Sequence, residues 1–137
     1  MTEFLSEFCR KVVALDKSIR FVGIAEDDGK LVGIAERKGL KALLTPEERA
    51  QYAITAANRQ HTRLRWEYML GKINFATSHY EKVIRATVPI TGESGDLYYV
   101  LLMSFDVKPG NTEQLITKKI IPLVKKNKAK LVAKLKK

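Results

Sequence analysis

The chain has 137 residues, 45% of them hydrophobic, with 25 lysines and arginines against 15 acids and a net charge of +10. That length suits one domain with a core of its own, and the charge favours acidic partners: nucleic acid, anionic lipid or an acidic protein. Cys9 is the only cysteine, which excludes an internal disulfide, and no run of about 18 apolar residues offers a membrane span.

The first stretch, MTEFLSEFCRKVVAL, carries Glu3 and Glu7 where a signal peptide is basic and then apolar, so it reads as mature sequence. Leu5, Phe8, Cys9, Val12 and Val13 recur at helical spacing and predict an amphipathic helix over 2–14, with Thr2 as its cap. Next comes FVGIAEDDGKLVGIA, residues 21–35, which nearly repeats itself. It contains neither G-x-x-x-x-G-K-[ST] nor G-x-G-x-x-G, so a phosphate loop is rejected on spacing. Asp28-Gly29 between two apolar runs predicts a β-hairpin instead. The acids of AEDDG do not have the spacing of a calcium loop. Strict alternation sends Val22, Ile24, Val32 and Ile34 to one face of the hairpin. Phe21, Ala25, Leu31 and Ala35 go to the other, with Gly23 and Gly33. Both faces are apolar or small, so helices are expected on both, the glycines letting the long helix approach closely.

In GLKALLTPEERAQYAITAANRQHTRLRWEYML, Thr45 caps a helix, Pro46 opens it and Glu48 closes a capping box. The helix is expected to run from Pro46 to about Tyr68. Ala50, Ala53, Ala57, Leu64 and Tyr68 gather on the side meant for the sheet, and Tyr52, Arg59, Arg63 and Trp66 on the opposite side. GKINFATSHYEKVIRATVPIT predicts a pair of strands with a turn near Tyr80 to Lys82. After the loop GESGD, LYYVLLMSFDV is apolar on both faces and is expected to be the central strand. Asn111 is placed as the cap of a last helix, with Leu115, Ile116, Ile120 and Val124 inward; Pro122 should kink it or end its regular part.

The order α-β-β-α-β-β-β-α predicts an α/β (α+β) three-layer sandwich, a five-stranded and mainly antiparallel sheet with helices on both faces. The hairpin IRFVGIAEDDGKLVGIA, the long helix, LGKINFATSHYEKVIRATVPI and LYYVLLMSF together resemble the roadblock/longin, profilin-like pattern over residues 2–125. GLKALLTPEE and YEKVIRATVPI are also similar to small proteins of ammonia-oxidising, thaumarchaeal archaea, a likeness that brings no activity with it. The roadblock resemblance implies dimerisation through the second helix and the neighbouring strand, and service as a platform for small GTPases or other partners. Here that role would fall on the outer face of helix 46–68 and on strand 71–79.

No catalytic constellation is present, so neither an enzyme nor a cofactor is expected. The serines lack a nucleophile elbow. His61 and His79 lie on different elements, His61 expected partly buried at the edge of the apolar stripe and His79 at the surface, and with one cysteine they make no zinc site. Cys9 falls on an apolar stripe and reads as a buried small hydrophobe. Tyr52, Arg59, Arg63 and Trp66 are residue types enriched at binding hot spots and form the candidate interface; the same groups could stack on bases and neutralise phosphates.

The last thirteen residues, KKNKAKLVAKLKK, hold Lys125, Lys126, Lys128, Lys130, Lys134, Lys136 and Lys137 and no acid, leaving a body of +3. This composition shift separates a domain at 1–124 from a lysine-rich tail at 125–137. The tail reads as a disordered solubilising segment, as an arm on DNA or RNA phosphates without sequence preference, or as a membrane-surface or partner-binding helix. The expected function is a non-enzymatic, cytoplasmic, homodimeric scaffold binding a protein partner such as a small GTPase. Alternatives are a DNA- or RNA-associated protein using the tail and helix 46–68, and a small-ligand sensor domain, for which alanines packed on glycines leave little room.

Overall fold

The computed structural model describes residues 2–107 and 111–133. Helix α1 (Thr2–Val13) buries Leu5, Phe8, Cys9 and Val12, the stripe that the spacing predicts. Thr2, expected as its cap, is already helical. Strands β1 (Ile19–Glu26) and β2 (Leu31–Glu36) form the antiparallel hairpin. In its turn the Lys30 N–H donates to Asp28 Oδ1 at 3.0 Å, and Gly29 takes a φ of 95°, a conformation that favours glycine. A Cβ on Gly29 would lie 2.5 Å from Ile54 Cα, so this turn docks directly on the long helix.

Up to Val32 the predicted alternation holds. A bulge then inverts it, because Ala25 pairs with Leu31 while Ile24 pairs with Gly33. An extra residue in one strand flips every side chain beyond it. Gly33 and Ala35 therefore share the face of Val22 and Ile24, whereas Ile34 moves to the other face and is exposed. The glycines do not both sit under the long helix as expected. A Cβ on Gly33 would meet Leu5 of α1 at 3.0 Å, and one on Gly23 would meet the Phe21 ring at 3.0 Å.

Helix α2 (Pro46–Leu64) starts at the predicted capping box. The Glu48 N–H donates to Thr45 Oγ1 at 3.1 Å and the Thr45 N–H donates to Glu48 Oε1 at 2.9 Å. It stops four residues short of Tyr68, and a short helix α3 (Glu67–Leu70) follows, ended by Gly71 at a φ of 85°. The Ile73 N–H donates to the Glu67 carboxylate at 3.0 Å and pins that turn. Consequently Ala53, Ala56, Ala57 and Gln60 form the buried face of α2, while Ala50 and Tyr68 are exposed.

Strands β3 (Ala76–His79), β4 (Ile84–Thr91) and β5 (Leu97–Phe105) complete a sheet of order β2-β1-β5-β4-β3, with every pairing antiparallel and β5 in the centre. Helix α4 (Thr112–Leu115) leads through a π-helical segment, Ile116–Ile120, into α5 (Ile121–Ala133). Asn111 holds the cap position, but its side chain makes no capping bond. Pro122 lacks an N–H and crowds the preceding turn. The wider π turn just before it accommodates the ring, and the helix continues rather than ending.

The layers are unequal. Helices α1 and α5 cover one face over a large core that includes Phe8, Ile24, Tyr99, Met103, Phe105 and Ile120, and this core reaches as far as Leu131. On the other face α2 packs over β1 and β5 through a thin layer of Ala25, Ala53, Ala56, Leu97, Val100 and Leu102. Beside α2, the same face of β4 and β3 presents Arg85, Thr87, Pro89, Ala76 and Ser78, all half-exposed.

Candidate functional site

That uneven cover brings the candidate interface residues to one flank of α2. Tyr52 is half-buried, and the guanidinium of Arg85 on β4 stacks 3.8 Å from its ring centroid. One turn apart along the helix, Arg59 and Arg63 border the same seam, where Arg63 Nη1 reaches Thr87 Oγ1 at 3.5 Å. The void between them is about 20 Å³, room for one water. Tyr52, Arg59 and Arg63 are thus gathered against β4, not displayed on the side away from the sheet. Rotation of the buried face toward Ala56 and Gln60 is the cause. Trp66 stands apart, beyond the end of α2 and exposed.

Burial raises the Tyr52 hydroxyl above its ordinary pKa and lowers the Arg85 guanidinium below its own. Among the described residues no carboxylate pairs with Arg85, and its buried Nε meets no protein acceptor. Its neighbours differ. Arg20 pairs with Asp106 at 3.2 Å, Arg37 pairs with the same carboxylate, and Arg49 pairs with Glu36 while lying 4.5 Å over the Phe21 ring. Hydrogen bonds from Arg37 and Arg20 hold Asp106 below the usual carboxylate range.

Trp66 belongs to a surface that the sequence reading missed. Trp66, Tyr68, Met69 and Leu70 are all exposed, the last at 81%. The signal was the apolar run WEYML ahead of Gly71, which a longer helix would have buried in part. Edge strand β3 hydrogen-bonds to β4 on one side alone.

The lysine-rich stretch divides. Lys125, Lys126 and Lys130 are exposed and Lys128 half-buried on the ordered helix α5, whereas Lys134, Lys136 and Lys137 lie outside the described residues. Lys125 and Lys128 line a groove of about 250 Å³ together with Lys72. His61 is exposed, and its Nε2 lies 2.9 Å from the Asp27 carbonyl oxygen, tying α2 to the hairpin turn. His79 is exposed on β3. Burial pushes the Cys9 thiol up to about 12, far from a reactive thiolate. No helix among the described residues is long and apolar enough to cross a membrane.

No family model matches the chain, and no curated protein sequence matches it. Solved structures do. The protein described as MglB with tetrameric arrangement is similar with a TM-score of 0.71 at 13% identity, over 95% of this chain and 91% of that one. The gliding protein MglB of Thermus thermophilus gives a TM-score of 0.71 at 11% identity, over 94% and 91%. A roadblock/LC7 domain from Streptomyces avermitilis gives 0.68 at 14% identity, over 93% and 98%. The chain has the roadblock/longin-like fold.

Proposed function

With the roadblock/longin-like fold as premise, we propose that this chain is a non-enzymatic, homodimeric interaction module that docks a protein partner such as a small GTPase in the cytoplasm. One observation carries the reading: the α2 face of the sheet is covered over half its width. Edge strand β3 and the half-exposed side chains of β4 form an uncovered strip beside α2, and the run Trp66 to Leu70 is exposed as well. Exposed apolar patches of this kind mark interfaces, and a free strand edge is a ready template for pairing. A two-fold axis beside β3 would bring the strip against its own copy. Tyr52, Arg59 and Arg63 would flank that contact and Trp66 would anchor it. The tetrameric arrangement described for one MglB structure fits self-association of this fold. The likeness of GLKALLTPEE and YEKVIRATVPI further suggests an archaeal source.

Light scattering on wild type and on Trp66→Ala/Leu70→Ala tests it. Both side chains are exposed, so the variant folds. Wild type is expected to run as a dimer at tens of micromolar, about the range where weak dimers already persist, and the variant as a monomer. A monomeric wild type would sink the dimer reading.

A second reading has its own observation. Lys125, Lys126 and Lys130 project from α5, and no carboxylate pairs with them among the described residues. Such a row suits phosphates of DNA or RNA. Pull-down from a lysate with and without nuclease separates the two.

A further inference from the structure

The Tyr52–Arg85 stack has a second side. Away from the seam with Arg63, it forms the floor of a cleft of about 320 Å³ between loop 37–45 and the start of β4. This is the size of a site for a small organic molecule. Leu40, Leu44 and Val83 give it apolar walls, with Tyr80 at the side. Such walls weaken solvent screening and strengthen any charge pair formed inside.

Charge accounting distinguishes the arginines of this cleft. Arg20 is neutralised by Asp106 and Arg49 by Glu36. Arg85 has an aromatic face but no carboxylate. A partly buried cation without a counter-ion is costly. A guanidinium lying over a tyrosine ring can still turn terminal N–H groups to a planar anion, and a carboxylate matches that fork. A single uncompensated cation calls for a single negative charge. The leucine and valine walls call for an apolar body behind it.

We propose that this cleft binds a small amphipathic carboxylate, with the acid group on Arg85 and the apolar body against Leu40, Leu44 and Val83. Loop 37–45 is tied at its base by Arg37 to Asp106, and Arg20 Nη2 donates to the Lys41 carbonyl at 3.3 Å. The same loop ends at Thr45, the cap of α2. One chain builds the whole cleft, and the proposal stands whether or not the chain dimerises.

Titration calorimetry on the full chain tests it with 2-naphthoate, its neutral isostere 2-naphthamide, and inorganic phosphate. Naphthoate is expected to bind with a Kd of about 1 mM or tighter, as a fragment of its size can. The amide should be weaker by about tenfold, the worth of one charge-assisted fork, and phosphate should not bind. Arg85→Met should reduce naphthoate to the level of the amide. Leu43→Glu supplies a second variant that keeps its fold, because Leu43 lines the mouth and is 54% exposed. Its carboxylate should weaken naphthoate and leave the amide unchanged. Equal affinity for acid and amide, tighter binding of phosphate, no binding of naphthoate at all, or indifference to both variants each overturns the proposal.

Discussion

Gln60 is fully buried on α2, and neither its Oε1 nor its Nε2 meets a protein partner. A buried amide in that state is a cost that an apolar isostere avoids. Gln60→Leu is expected to stabilise the fold by about 1 kcal/mol, read as a higher urea midpoint. Cys9 offers a probe of the opposite core. With its thiol pushed up to about 12 and its side chain buried, it should resist a thiol reagent at pH 8 until the chain unfolds. Labelling at the rate of global unfolding is the expected result, and fast labelling of the native protein would contradict the packing of α1. Asp106 fixes the acid side of the stability profile. Its folded pKa is depressed by Arg37 and Arg20, so its contribution is full above the ordinary carboxylate pKa and lost as pH falls through the folded value. Asp106→Asn should therefore cost about 1 kcal/mol near pH 7 and less near pH 3, where wild type has begun to lose the same pairs. Denaturation at the two pH values measures the gap.

Between elements, the strongest constraints are a turn and a helix end. Gly29 combines a φ of 95° with a contact that leaves no space for a Cβ above Ile54. Gly29→Ala should destabilise by about 1–3 kcal/mol, from strain and from lifting the hairpin off α2. Gly39 has a φ of 75° with nothing near it, so Gly39→Ala isolates the strain alone and should cost less. At the other end, the buried Leu131 makes α5 part of the core rather than a free arm. Leu131→Ala should cost about 2–5 kcal/mol, as a buried leucine does, whereas a solvated tail would register no change in a thermal melt. The capping box at Thr45 and the hairpin turn at Asp28-Gly29 were legible in advance because each is made within a few residues of chain. The bulge at Val32 and the π turn before Pro122 were not, since a strand register and a widened turn leave no mark on the apolar period that either segment shows.

At the scale of the whole molecule, one sheet carries a thick core on one face and a thin, half-width layer on the other. The thin side holds the proposed dimer strip and the Arg85 cleft, and the lysines of α5 lie on the thick side. Lys125 and Lys128 share a groove with Glu67 and Pro89, so the readings are told apart by substitution rather than by distance. If nucleic acid binds through the lysines, affinity should fall steeply with salt, with a slope of roughly 4 to 6 when most of the seven engage. Lys125→Glu/Lys126→Glu/Lys130→Glu should lower that slope by about 3, or roughly 0.9 per contact, without changing the oligomer. These side chains are exposed, so the core at Leu131 survives in a way that cutting the chain after Val124 would not allow. Equal binding by wild type and variant at about 50 mM salt removes the nucleic-acid reading.

The sequence by itself determined the order of elements apart from the short α3, the hairpin, the start of α2, the centrality of β5 and the buried stripe of α1. Each of these rests on a cap, a turn pair or a short period, and such signals are complete within a dozen neighbours. Period fixes which residues share a face, but not what lies opposite that face. Only the tertiary structure decided that Tyr52 meets Arg85, that Arg20 and Arg37 share Asp106, that Gly33 belongs to α1, and that Leu131 closes the core. Those contacts join residues far apart in the chain, and they are set by strand register and by how the helices pack on the sheet, which no local period encodes.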